Sequence, residues 1–149
     1  MAEEVLPGVY AVRIRGGYVN AFLIAGGGEL TLVDSGLPGA AGAILAAVRR
    51  AGRRPEELRH IAVTHHHTDH AGSLAALVAR TGATAYVHPL DAPVVRGDEP
   101  VPGPNPKSTL GKVIGPLIMR LQPARLPRVE ISHEVTDGEL LPAAGGLRA

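Results

Sequence analysis

Residues 58–70 read Leu58-Arg59-His60-Ile61-Ala62-Val63-Thr64-His65-His66-His67-Thr68-Asp69-His70. An apolar run with the character of a buried strand delivers the chain directly into a histidine-rich stretch, and a helix is expected from about Ala71, with Leu74, Leu77 and Val78 on one face. In an extended segment residues i and i+2 point to the same side. His65 and His67 can therefore converge on one ion while His66 faces away. Asp69 and His70 follow just before the helix and can reach a second ion beside the first. Imidazole with carboxylate suits zinc, iron or manganese, and the absence of thiolate disfavours copper(I). Two metals about 3.5–4 Å apart can share a water, lower its pKa and steady charge developing on a substrate oxygen.

The alternative, ordinary loop histidines, would suit a lone imidazole. It suits poorly a spaced set with an aspartate between an apolar strand and a helix. Five of the seven histidines lie between residues 60 and 70. His66 is read as a non-ligand, and His60, His88 and His133 as structural or exposed.

Working outward, the same strand–helix logic extends both ways. Val9 to Arg15 alternates apolar and polar residues at period two, as a half-buried strand does. Gly16-Gly17 turns the chain into a returning strand, 18–25, and Gly26-Gly27-Gly28 turns it again into an apolar strand, 29–33, ending at Asp34-Ser35-Gly36. A helix over 40–50 has Ile44, Leu45 and Val48 on one face; the arginines at 49, 50, 53 and 54 suit its C-terminus and solvent. Gly82 is placed to end the second helix, and Thr84–Val87 is a short buried strand. Strand, helix, strand, helix, strand indicates an α/β layered fold.

Residues 89–108 contain Pro89, Pro93, Pro100, Pro102, Pro104 and Pro106 and read as a long loop. Apolar residues at 110, 113, 114, 117, 118 and 121 predict an amphipathic helix kinked at Gly115-Pro116 and lying over the metal edge. Val129–Glu134 reads as an edge strand, Asp137-Gly138 as a hairpin turn into Glu139–Leu141, and Gly145-Gly146 as one more turn.

Composition excludes other classes. The chain has 149 residues, 45% hydrophobic and 19% charged, with formal net charge +1, which argues against bulk disorder and against a dedicated nucleic-acid binder. It has no cysteine, which removes disulfides, iron–sulfur clusters and cysteine-rich zinc folds. No apolar run approaches the roughly 20 residues of a membrane span, and the acidic start is no secretory signal. The expectation is a cytoplasmic protein with no membrane association.

The stretch His65-x-His67-x-Asp69-His70, with Leu32-Val33-Asp34-Ser35-Gly36 upstream, resembles the metal motif and strand-end aspartate of the metallo-β-lactamase fold superfamily. The order of elements over 9–88 is similar as well. Asp69 makes the chain resemble the hydrolase branches (glyoxalase II-like, lactonase-like, phosphodiesterase-like) more than the true lactamases. The resemblance implies an αββα sandwich with metals at one edge. It implies His65 and His67 on a first metal, Asp69 and His70 on a second, and Asp34 in support. Zinc, up to two ions in a complete domain, is the implied cofactor, with iron or manganese as substitutes.

The family pattern continues with a histidine in a Thr-Pro-Gly-His-like turn, a bridging aspartate and a final histidine. Nothing after Gly138 matches these, and His133 falls too early. Residues 1–149 are therefore expected to be a single domain of this type, truncated before its C-terminal half. The implied activity is hydrolysis of an ester, thioester, lactone or similar small substrate by a metal-bound hydroxide, with Asp69 also accepting a proton. Against it stands a non-catalytic metal-binding fragment or partner-dependent half domain; phosphodiester or nuclease activity ranks third, the charge being too nearly balanced for a nucleic-acid partner. An uncovered apolar sheet face would leave the chain associating with copies of itself.

Overall fold

In the computed structural model, residues 2–103, 120, 122–143 and 146–148 are described. The helix predicted over 110–121 lies outside them, apart from helical Arg120.

The main sheet has seven strands in chain order: β1 (Ala2–Leu6), β2 (Val9–Ile14), β3 (Val19–Gly26), β4 (Glu29–Val33), β5 (Leu58–Val63), β6 (Thr84–Val87) and β7 (His133–Glu134). The first four are antiparallel neighbours, as tight turns permit. Between β3 and β4 the turn residues Gly27 and Gly28 have φ +60° and +84°, a conformation that only glycine takes freely at two successive positions. From β4 onward the pairing is parallel, and the crossovers carry helix α1 (Ala41–Arg50), then α2 (Thr68–Ala71) and α3 (Leu74–Thr81).

Register sorts side chains into two faces. Leu23, Leu32, Ile61 and Ala85 form one rung, all fully buried. They pack in one cluster with Ile44 and Val48 of α1 and Leu74 and Leu77 of α3. Each large side chain taken from water in this way contributes about 1.5–3 kcal/mol. The opposite face carries Ala11, Phe22, Val33, Ala62, Tyr86 and His133 along one rung. Its far end is covered: Tyr86 packs with Val135, Leu141 and Ala143. Phe22 remains 41% exposed.

The strands and helices expected over 9–87 are present within one or two residues at most ends, and Gly82 closes α3 in a left-handed conformation (φ +67°), its N–H bonding Val78 O at 2.8 Å. Three expectations are corrected, and one strand is added. Residues 2–6 form an extra edge strand, held by Arg13–Glu3 and by pairing to β2. The second helical stretch begins at Thr68, so Asp69 and His70 lie inside a short helix. The proline-rich segment contains helix α4 (Ala92–Val95), with Pro93 in its first turn, where a missing N–H costs nothing. Only His133–Glu134 of the expected edge strand pairs, parallel to β6, while β8 (Leu140–Leu141) pairs antiparallel with β9 (Leu147–Arg148) and not across the 137–138 turn. This two-stranded sheet lies on the side opposite the helices, with Leu141 against Tyr86.

The arginine cluster is partly accounted for. Arg53 and Arg54 both pair with Glu57, holding its carboxyl below the usual range, and Arg53 also reaches Gly28 O at 2.9 Å.

Candidate metal centre

The parallel strands β4 and β5 end side by side, and the next residues, Asp34 and Thr64, meet there. Asp34 has φ +63°, a left-handed conformation that Asp tolerates better than most residues. Its N–H bonds Ala62 O at 2.8 Å, and its side chain is buried. The carboxylate accepts the Thr64 N–H at 2.9 Å and the Thr64 hydroxyl at 3.0 Å; its other oxygen lies 2.8 Å from His70 Nδ1. A carboxylate only accepts, so this contact places the His70 proton on Nδ1 and leaves the Nε2 lone pair free. A carboxylate behind an imidazole in this way orients a metal-binding histidine and raises its basicity.

His65 and His67 leave the strand end in alternation, with ring centroids 4.7 Å apart; His65 and His70 are at 4.0 Å. His65 Nε2 and His67 Nδ1 are separated by 3.0 Å. Two nitrogens so close share a proton, or lie along one edge of a coordination polyhedron: tetrahedral zinc with ~2.0–2.1 Å bonds keeps its ligand atoms roughly 3.3 Å apart. Burial, then the neighbouring His70 and His67, lower the His65 pKa, so its ring stays neutral and its lone pair available. Asp69 Oδ2 stands 3.6 Å from His70 Nε2, and its side chain is 42% exposed. Three imidazoles and one carboxylate thus occupy one patch, and these donor types suit a divalent transition metal. Among the described residues no three of them are so arranged that they could hold an ion together.

His66 points elsewhere. Its N–H donates to Asp91 Oδ1 at 3.2 Å and its Nδ1 contacts the same oxygen. His60 lies between Glu29 and Tyr86, each at 3.0 Å, His88 Nδ1 accepts the Leu90 N–H, and His133 bonds Glu139.

Helix α2 is one turn long, and its neighbours hold it. His70 N–H and Ala71 N–H both bond His67 O at 2.9 Å, while His70 O accepts the Ser35 N–H at 2.6 Å and the Ser35 hydroxyl at 2.8 Å. Ser73 donates its hydroxyl to Leu37 O at 2.6 Å and accepts the Ala40 N–H at 2.8 Å. Buried Ser35 and Ser73 therefore stitch loop 34–40 to the metal loop. The parts played by Asp91 and Ser73 escape sequence reading, because both contacts join residues at least 25 positions apart. His67 and Asp69 open onto a cleft of about 740 Å³ whose walls include Arg15, Tyr18, Leu37 and Gln122. A smaller, more apolar pocket of about 390 Å³ lies beyond Thr64, against Ala62, Tyr86 and Val135.

Among the described residues no helix is long and apolar enough to cross a membrane. Known proteins agree with the architecture. A metallo-β-lactamase of Cronobacter sakazakii, described by an HARLDQ motif, superposes with TM-score 0.74 at 25% identity, over 97% of this chain and 51% of that one. The "probable metallo-hydrolase YflN" of Bacillus subtilis is 28% identical over 97% of this chain and 52% of its own length. A hydroxyacylglutathione hydrolase of Anaeromyxobacter dehalogenans is 37% identical over 68% of this chain and 36% of its own length. The chain thus spans about half the length of the Bacillus subtilis relative. The fold is the first half of the metallo-β-lactamase sandwich, helices on one side of the main sheet and a second sheet begun on the other. Residues 14–146 match the metallo-β-lactamase superfamily, and the chain belongs to that family.

Proposed function

We propose that this chain carries the metal-binding half of a hydrolase acting on a small ester, thioester or lactone, with a thioester as the first choice. The observation that carries the reading is the set of side chains at the ends of β4 and β5: His65, His67, Asp69 and His70 together, with Asp34 behind His70. In this reading His65 and His67 hold one zinc, and Asp69 and His70 hold a second. Iron or manganese would be accepted by the same donors. A bound metal of this kind supplies water activation near neutral pH and polarisation of a carbonyl oxygen.

The chain's own groups do the rest. Asp34 keeps the His70 proton on Nδ1, so Nε2 stays a ligand through turnover. Asp69 faces the cleft and is placed to accept a proton from the attacking water. Leu37 and Tyr18 offer apolar surface to an acyl group. The choice of a thioester is supported by the relative named as a hydroxyacylglutathione hydrolase.

One observation favours a second reading, metal binding without turnover until a further segment or partner completes the site: the chain spans about half the length of a curated relative that it matches over 97% of its own. The test is a set of assays on the zinc-supplemented chain with a lactoyl thioester, a γ-lactone and bis(p-nitrophenyl) phosphate. Thioester cleavage that disappears with chelator and with Asp69→Asn supports hydrolysis. Bound zinc with none of the three cleaved supports the second reading, and cleavage of the phosphodiester alone refutes the choice of substrate class. Turnover on the order of 1–10³ per second would show that no further segment is needed.

A further inference from the structure

The hairpin between β2 and β3 reaches the same cleft as the metal loop. Arg15 and Tyr18, at its tip, line the cleft together with His67 and Asp69. Arg15 has φ +46°, followed by Gly16 at +71° and Gly17 at +94°. Three successive left-handed residues turn the chain tightly, and glycine is the residue that takes such a conformation freely. An arginine holds the first of these places at the expense of backbone strain, and strained non-glycine residues concentrate at ligand-contacting sites. Tyr18 is 88% exposed, the largest exposure among the big apolar side chains of the described residues. Asn20 braces the turn through Gly17 O at 3.4 Å.

The charges differ along the strand. Arg13, two residues earlier, is paired with Glu3 at 2.7 Å. Among the described residues Arg15 has no carboxylate within ion-pair distance, and it is the one arginine that lines the cleft. Apolar Leu37 and Pro38 also line the cleft. A volume of about 740 Å³ suits a small molecule.

We propose that Arg15 and Tyr18 form a specificity subsite for substrates bearing a carboxylate on a short apolar acyl chain, the guanidinium holding the carboxylate and the ring covering the chain. This rests on the reading above that the cleft beside the metal loop receives the substrate. Guanidinium pairs with carboxylate through parallel N–H···O bonds, a geometry that lysine or glutamine does not reproduce.

The test is an NMR titration of the isotope-labelled chain with hexanoate and with hexanamide, matched in length and differing in charge, at pH 7 and low salt, with and without zinc. In the zinc-free arm, hexanoate shifts the Gly16, Gly17 and Tyr18 resonances and binds about three- to fivefold tighter than hexanamide, the range of an exposed ion pair. Arg15→Gln removes the preference. Arg15→Gly removes it too while leaving the thermal midpoint unchanged or higher, which separates loss of the side chain from loss of fold. Tyr18→Ala weakens acid and amide alike. The proposal is overturned if the hairpin does not shift, if acid and amide bind equally, or if the preference survives Arg15→Gln. A chain that binds no zinc yet keeps an Arg15-dependent preference loses the hydrolase reading and keeps this one. Zinc binding without any preference does the reverse.

Discussion

The contacts that the Asp34 side chain makes at the metal loop all serve other residues. It holds Thr64 at the end of β5 and the His70 ring in one tautomer, from a buried position and a left-handed backbone. Asparagine tolerates that backbone, so Asp34→Asn isolates the charge. Supporting carboxylates of this type typically carry 10–100-fold in metal affinity. Asp34→Asn is therefore expected to weaken zinc binding about tenfold or more, read by competition with a chromogenic chelator, with little change in folded content. Unchanged affinity would mean that the His70 contact does not orient a ligand. The His65-x-His67-x-Asp69-His70 spacing is legible in sequence because it depends on local geometry alone. The His66–Asp91 contact is not, because only the folded chain brings the end of β5 against the segment before α4.

Among the elements, α2 shows the tightest approach. A Cβ on Gly72 would lie 2.2 Å from Thr68 O and 2.5 Å from the backbone N of Pro38, so no side-chain rearrangement can make room. Gly72 has an ordinary helical φ of −63°, and the requirement is for space alone. Gly72→Ala should cost about 1–3 kcal/mol or more, in the range of core overpacking. It should also push α2 off loop 34–40 and lower metal affinity along with the thermal midpoint. A variant with the midpoint and affinity of the parent would show that the two segments separate freely. The elements that sequence pattern announces, β2 to β6 with α1 and α3, are those whose apolar period matches their own geometry. Those it misses are fixed from outside. β1 carries Glu3 and Glu4 and survives as a strand by pairing at the sheet edge, and α2 by its bonds to Ser35; β8 lies within the strand expected over 139–141, and only its partner, β9, escapes the pattern.

Across the whole molecule, one face of the main sheet is sealed by α1 and α3 while the other is covered at the Tyr86 end and open around Phe22. Exposed apolar surface and sheet edges favour association. The chain is expected to self-associate with rising concentration in sedimentation velocity, and Phe22→Ser to shift it toward monomer. A monodisperse monomer across the concentration range would show the face to be sufficiently covered. Zinc content by elemental analysis of the purified, zinc-equilibrated chain, beside its His66→Ala and His67→Ala variants, reads the metal site directly. Bound zinc is expected in the parent, the same amount in His66→Ala, whose ring faces Asp91, and a clear loss in His67→Ala. Zinc content in His67→Ala equal to that of the parent would contradict the metal site.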